Sequence, residues 1–267
     1  MGYLSLYIEF YKIRLKSVAE YRGAFLMISF CKALSYAADF LVTWIMISTF
    51  QNMGGWNAYE VLMLFGLNSA AYALAGTFFY HITTYLSNMV KDGTFDEVLT
   101  KPLNPFLYLS TRYFSTGYFG TFSISLFIII FSLASGNITM DFGKIVYLIA
   151  TLLSGGLITG SIMIILSVPA FWMLENNGLR AIFFNNIRDF VQYPLTIFGK
   201  AIQVFMTVVI PYAFVTFFPA LFLLGKQDNS IFPSWFMYLS PAIAVILFII
   251  AYRFWMYGLS RYESAGS

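Results

Sequence analysis

Charge, cysteine and histidine are all scarce in this 267-residue chain. Charged residues make up 10% of it and hydrophobic residues 60%, with a mean hydropathy of +0.76. A soluble domain of this length needs more charge to cover its surface, so the composition excludes a water-soluble globule. The one cysteine, Cys31, excludes an internal disulfide and a cysteine metal site, and the one histidine, His81, excludes a multi-histidine site. No G-x-x-x-x-G-K-[ST] run occurs. Gly199-Lys200 is followed by Ala201, with no glycine at the right distance before it, so ATP is not hydrolysed here by that route. H-E-x-x-H, G-x-S-x-G and clustered carboxylates are missing too, which removes the usual signs of a hydrolase or metalloenzyme. A net charge of +3 is too small to indicate a nucleic-acid partner.

What is present is apolar length. A helix needs about 20 mostly apolar residues to cross a bilayer. Six stretches qualify: 24–50, 58–86, 107–133, 142–172, 201–224 and 239–258. They leave no room for a soluble domain, so the reading is one all-α integral membrane domain over 1–267. Residues 3–22 interleave Glu9, Lys12, Arg14, Lys16, Glu20 and Arg22 with Leu6, Phe10, Ile13 and Val18, and they lack a small-residue cleavage site. This stretch reads as an N-terminal interfacial amphipathic helix, with Tyr3, Tyr7, Tyr11 and Tyr21 at headgroup depth.

Lysine and arginine set the expected orientation. They collect in the N-terminal segment, after the second span (Lys91, Lys101, Arg112), after the fourth (Arg180, Arg188, Lys200) and at the C-terminal end (Arg253, Arg261). The opposite set holds Lys144 and Lys226 alone. The positive-inside rule then puts both termini in the cytoplasm, and 178–199 reads as a cytoplasmic or interfacial helix leading into the fifth span.

Two spans carry polar faces. Lys32, Ser35, Tyr36, Asp39 and Thr43 share one face of the first, and Asn68, Tyr72, Gly76, Phe79 and Thr83 one face of the second. Such faces avoid lipid, so Lys32, Tyr36, Asp39, Asn68 and Tyr72 are candidates to line a pathway. Lys32 and Asp39 lie two turns apart, too far to touch in a straight helix. Lys32 is near enough to the span's end to snorkel, and Asp39 is either a structural partner in the bundle or a path residue. His81 reads as an interfacial hydrogen-bonder. In the fourth span Gly156 and Gly160 form a small-xxx-small pair, which fits close packing within the chain.

The segment 87–106 differs from its surroundings. It combines charges, Gly93, Pro102 and Pro105, with Phe95, Val98, Leu99 and Leu103 at helical spacing. This describes a short amphipathic helix stopped by Pro102, which either docks on a partner or lies on the membrane. If it docks, Phe95 and Leu99 are the expected anchors. Near the other end, Pro211 and Pro219 point to a broken or re-entrant element, and 211–238 reads as a re-entrant and outer-loop region. Trp235, Tyr238, Trp255 and Tyr257 bracket the last span.

The run Gly93-x-x-Asp96-x-x-Leu99-x-Lys101-Pro102-Leu103-Asn104-Pro105 resembles the signature after the second span in permease subunits of ABC-2-type transporters. Tyr193-Pro194, then Ile210-Pro211-x-x-Phe214-Val215-x-x-x-Pro219-Ala220, is similar to the bacterial exporter subgroup with separate permease and ATPase chains. The resemblance implies six spans, re-entrant elements between the fifth and sixth, and a cytoplasmic coupling helix within 87–105 that docks on an ATPase. Gly93, Phe95, Asp96, Leu99, Lys101, Pro102, Leu103 and Pro105 then belong to the coupling element. It also implies that the partner ATPase binds ATP and magnesium, with no cofactor in this chain. A second permease chain, identical or related, is implied, with a path among the first, second and fifth spans and a place in a bacterial cytoplasmic membrane. The rival readings are a secondary transporter driven by an ion gradient, with Asp39 as its titrating carboxylate, and a membrane enzyme acting on lipid. For the second the sequence offers no polar cluster.

Overall fold

The computed structural model describes residues 3–50, 53–173, 187–227 and 230–263. Among these, every long element is a helix: α1 (Tyr3–Glu20), α2 (Arg22–Phe50), α3 (Ala58–Lys91), α4 (Thr94–Leu99), α5 (Pro105–Arg112), α6 (Phe119–Ser135), α7 (Phe142–Ser167), α8 (Ile187–Phe190), α9 (Lys200–Val204), α10 (Phe217–Leu224) and α11 (Ser240–Ser260). Helices α2, α3, α6, α7 and α11 are long and apolar enough to cross a membrane. They match the first, second, third, fourth and sixth expected spans.

Helix α3 forms the centre of the bundle, with α6 on one flank and α7 on the other, while α11 packs outside α7 and α2 leans on α6. Glycines permit these close approaches. A Cβ on Gly156 would meet the Leu74 side chain and one on Gly160 the Phe79 ring, so this pair packs α7 on α3 within the chain. The tightest crossing is at Gly120 of α6. A Cβ there would lie 1.9 Å from the Ser29 carbonyl oxygen of α2.

Both described chain ends lie at one end of the bundle, the near end. Arg14 Nε of α1 donates to the Phe114 carbonyl at 3.2 Å, and Phe10 packs edge-on against Tyr108 at 5.8 Å. At the C-terminal side, Tyr262 donates to Asp96 Oδ1 at 3.0 Å. The expected third span, 107–133, is two elements. Pro105–Arg112 is a separate helix at the near end, and the chain turns at Tyr113 before the span proper. Asn104 and Pro105 account for this break: Asn104 Oδ1 caps the Leu107 N–H at 3.1 Å, and proline suits the first helical position.

The far end is tied by Lys226. Its Nζ sits 2.6 Å from Glu60 Oε2 and donates to the Gly55 carbonyl at 2.6 Å. The same Glu60 accepts from the Asn57 N–H at 2.9 Å, completing a capping box at the start of α3.

The stretch 201–224 differs from its expected role as the fifth span. Lys200–Val209 and Tyr212–Leu224 meet at 78° around Pro211, where the backbone cannot continue a helix. Just before the pair, Ile197 Cγ2 lies 2.9 Å from where a Cβ on Gly54 would be, and just after it Lys226 reaches Gly55. Both ends of the pair therefore return to one turn at the far end. The apex reaches inward to the level of Gly155, which Val215 contacts. This is a re-entrant pair, and Lys200 belongs to the far end. The 178–199 region is corrected with it. Phe171 packs at the near end against Phe95 and Tyr262, whereas Arg188 sits beside Asn68 of α3, so the chain has crossed into the far half before Val191. The turn Glu175-Asn176-Asn177-Gly178 and Arg180 lie outside the described residues.

Candidate functional site

Two places carry polar chemistry. The first is a cavity of about 250 Å³ between α2, α3 and the segment 188–193. The side chains of Tyr36, Asp39, Asn68 and Tyr72 line it, so four of the five expected path residues converge. The polar stripes explain this: i, i+3, i+4 spacing turns each set to one side, and the two helices face their polar sides toward each other. The Tyr36 and Tyr72 rings are 6.1 Å apart.

Lys32 stands apart from this cavity and does not pair with Asp39. Its Nζ lies 3.3 Å from the centre of the Tyr118 ring, a cation–π contact at the start of α6. Tyr118 in turn packs edge-on against Tyr72 at 5.5 Å. Lys32 therefore reaches the cavity wall only through two rings.

Arg188 and Asp189 complete the wall, and composition alone misassigns them. Arg188 counts as a cytoplasmic charge in the sequence, yet it lies within the bundle. Its guanidinium stacks over the Tyr72 ring at 4.2 Å, faces the Tyr36 hydroxyl, and pairs with Asp189 Oδ1 at 3.2 Å. Asn68 Nδ2 donates to the Arg188 carbonyl at 3.4 Å. A sequence signal existed: an Arg-Asp pair flanked by Ile187, Phe190 and Val191 is too apolar on both sides for an open loop.

The second place is the near-end segment between α3 and α5. Gly93 adopts a left-handed conformation (φ 69°), which reverses the chain after α3 and explains the glycine there. The Phe95 ring is fully buried, 5.4 Å from Phe171 and 5.1 Å from Tyr262. Asp96 accepts from Tyr262, and Lys101 lies 5.6 Å from the Tyr108 ring centre. Leu103 is half-buried against the same cluster, and Pro105 opens α5. Asn104 Nδ2 donates to the Tyr252 hydroxyl at 2.8 Å. The motif residues thus bind mainly to their own chain. The expectation that Phe95 anchors a partner is corrected: its side chain faces inward, against Phe171 just after α7 and Tyr262 just after α11. Leu99 is exposed, with Glu97, Thr100 and Pro102 beside it.

His81 stacks on Tyr85 at 5.2 Å, next to Tyr113. Among the described residues no group of histidine, cysteine, aspartate and glutamate could hold a metal ion.

An apolar bundle with a polar cavity between its helices and a charged segment at one end defines a multi-pass membrane protein. The chain belongs to the ABC-2 family of transporter proteins, whose sequence model matches residues 33–266. No curated protein matches the chain. Membership implies the membrane component of an ATP-binding-cassette transporter, a permease that partners an ATPase; such components are generally not the ATPase itself.

Proposed function

We propose that this permease forms half of an export pathway in a bacterial cytoplasmic membrane. A second permease chain, identical or related, supplies the other half. A separate pair of ATP-binding-cassette subunits holds ATP and magnesium and docks at α4, the coupling helix. The single observation that carries this reading is the way α4 is wedged. Phe95 is gripped by Phe171, just past the end of α7, and Tyr262, just past the end of α11, so a push on α4 reaches α3 directly and α7 and α11 through these two residues. Closure of the ATPase on ATP moves α4, and the bundle passes between two arrangements of the cavity.

Charge supports the orientation. Lys12, Arg14, Lys16, Arg22, Lys91, Lys101, Arg112, Arg253 and Arg261 gather at the near end, against Lys144, Lys200 and Lys226 at the far end. That bias favours a cytoplasmic near end even with Arg188 removed from the count. Leu6, Ile8, Ile13 and Leu15 are exposed on α1 beside exposed lysines, which supports a helix lying in the interface. Leu34, Leu41 and Ile45 leave one side of α2 uncovered, a surface for lipid and for the second chain. Family membership does not favour a carrier driven by an ion gradient.

The docking surface is then Glu97, Leu99 and Thr100, the outward side of α4. Glu97→Lys with Leu99→Ala reverses one charge and removes one exposed anchor while sparing the Phe95 cluster. The expected result is a permease of unchanged thermal stability that loses its ATPase on purification, by tenfold or more in retained subunit, as truncated interface anchors cost roughly 1–2 kcal/mol or more each. Full retention of the ATPase by this double variant moves the docking surface away from α4.

A further inference from the structure

Among the described residues the cavity is lined by two carboxylates and one guanidinium, and they are not equally available. The Arg188 side chain is 18% exposed and is occupied by Tyr72 and Asp189, whereas its partner Asp189 is 61% exposed. Both side chains line the cavity, and the carboxylate is the more exposed of the two. Asp39 is exposed on the opposite wall, and among the described residues its carboxylate takes part in no ion pair and no side-chain hydrogen bond. The charges that bear on it are Asp189 and Arg188. The rest of the wall is uncharged: Thr43, Asn68, Ser69 and Gln192 supply neutral polar groups, beside Val42, Met46, Phe65 and the tyrosine rings.

A carboxylate at mid-span is costly without a counter-charge. Among the described residues the lining carries one negative charge more than positive, with ring faces that attract cations. From this we infer that the cavity takes a hydrophobic organic monocation, an ammonium or similar group on an aromatic or alkyl body. The cationic group sits between Asp39 and Asp189, and its apolar body lies against Tyr36, Phe65 and Met46. This assignment rests on the reading of the cavity as the transport path.

The test uses two probes of similar size and opposite charge, benzyltrimethylammonium and benzylsulfonate. Their binding to the ATPase-bound complex in lipid nanodiscs is followed by saturation-transfer NMR and corrected for empty nanodiscs. Benzyltrimethylammonium is expected to bind saturably, at least tenfold more tightly than benzylsulfonate. The preference should fall about tenfold or more in Asp39→Asn and survive in Asp39→Glu. Equal binding of the two probes, tighter binding of the sulfonate, or an Asp39→Asn complex that binds the cation as well as the original overturns the assignment. If Asp39→Asn impairs assembly, the comparison of the two probes on the unaltered complex decides alone. A complex that retains its ATPase but shows no charge preference removes the cation assignment and leaves the permease reading intact. A preparation without any ATPase removes that reading instead.

Discussion

Phe95→Ala is expected to lower the stability of the purified permease by about 3–5 kcal/mol, while Leu99→Ala changes it by less than about 0.5 kcal/mol. The two residues sit on one six-residue helix and differ in what surrounds them. The Phe95 ring is fully buried and touches Phe171 and Tyr262. Removing it leaves a cavity between α4 and the segments that follow α7 and α11, whose rings Phe171 and Tyr262 pack on one another and on the rest of the near-end cluster. Leu99 is 40% exposed and loses little on truncation. The midpoint of thermal unfolding in detergent reads the difference. The functional consequence follows from the same geometry. An ATPase still docks on the outward side of α4 in the Phe95 variant, but its motion is absorbed by the cavity, so ATP is hydrolysed without transport. Equal stability of the two variants shows that the ring does not hold the segment to the bundle.

Among the described glycines, Gly120 is the one at which an added methyl group is expected to do the most damage. On an unhindered helix, alanine stabilises relative to glycine by about 1 kcal/mol. Here the new Cβ lies 1.9 Å from the Ser29 carbonyl oxygen, and backbone cannot rotate away as a side chain can. Helices α2 and α6 must separate by more than an ångström, which exceeds the usual overpacking cost of about 1–3 kcal/mol. Other glycines provide a graded control. Gly156→Ala meets the movable Leu74 side chain, and Gly143→Ala meets nothing closer than 3.7 Å. The expected order of thermal stability is Gly143→Ala highest, then Gly156→Ala, then Gly120→Ala. Because α2 carries Tyr36 and Asp39, Gly120→Ala also disturbs the cavity. A Gly120→Ala protein as stable as the Gly143→Ala one refutes the close crossing.

Most of the fold was legible because hydropathy measures what a bilayer selects. Five of the six expected spans are helices at the expected places. The miss at 201–224 has a physical cause. A re-entrant pair is buried in the bundle and is as apolar as a crossing, and hydropathy reports burial but not direction. Pro211 was the sign of the reversal, and it showed the break without showing that both halves return to Gly54 and Gly55. In the third span, Asn104-Pro105 started a helix that ended at Arg112, and apolar content alone joined it to α6.

The cavity was legible in part for the same reason. Stripes on two helices predict that Tyr36, Asp39, Asn68 and Tyr72 avoid lipid, and two such helices satisfy each other by facing. Arg188 was missed because charge counting treats every arginine as solvated. Its guanidinium is instead held by a ring face and a carboxylate. Periodicity found an apolar side on α4 and left open which body it faced. The structure turns it toward Phe171 and Tyr262, and the partner surface we propose is therefore Glu97, Leu99 and Thr100. Lys32 shows a further limit. Its contact with Tyr118 joins residues 86 positions apart, and no local pattern encodes it.

The central claim is that this chain is a permease whose work is driven by a separate ATPase. The most direct measurement is ATP hydrolysis by the tagged chain purified from its native membrane in mild detergent, before and after the bound subunits are stripped away. The account predicts an ATP-binding-cassette subunit in stoichiometric amount, hydrolysis by the complex, and none above background from the stripped chain. Undiminished hydrolysis by the stripped chain, or a native preparation that contains no such subunit, would contradict it.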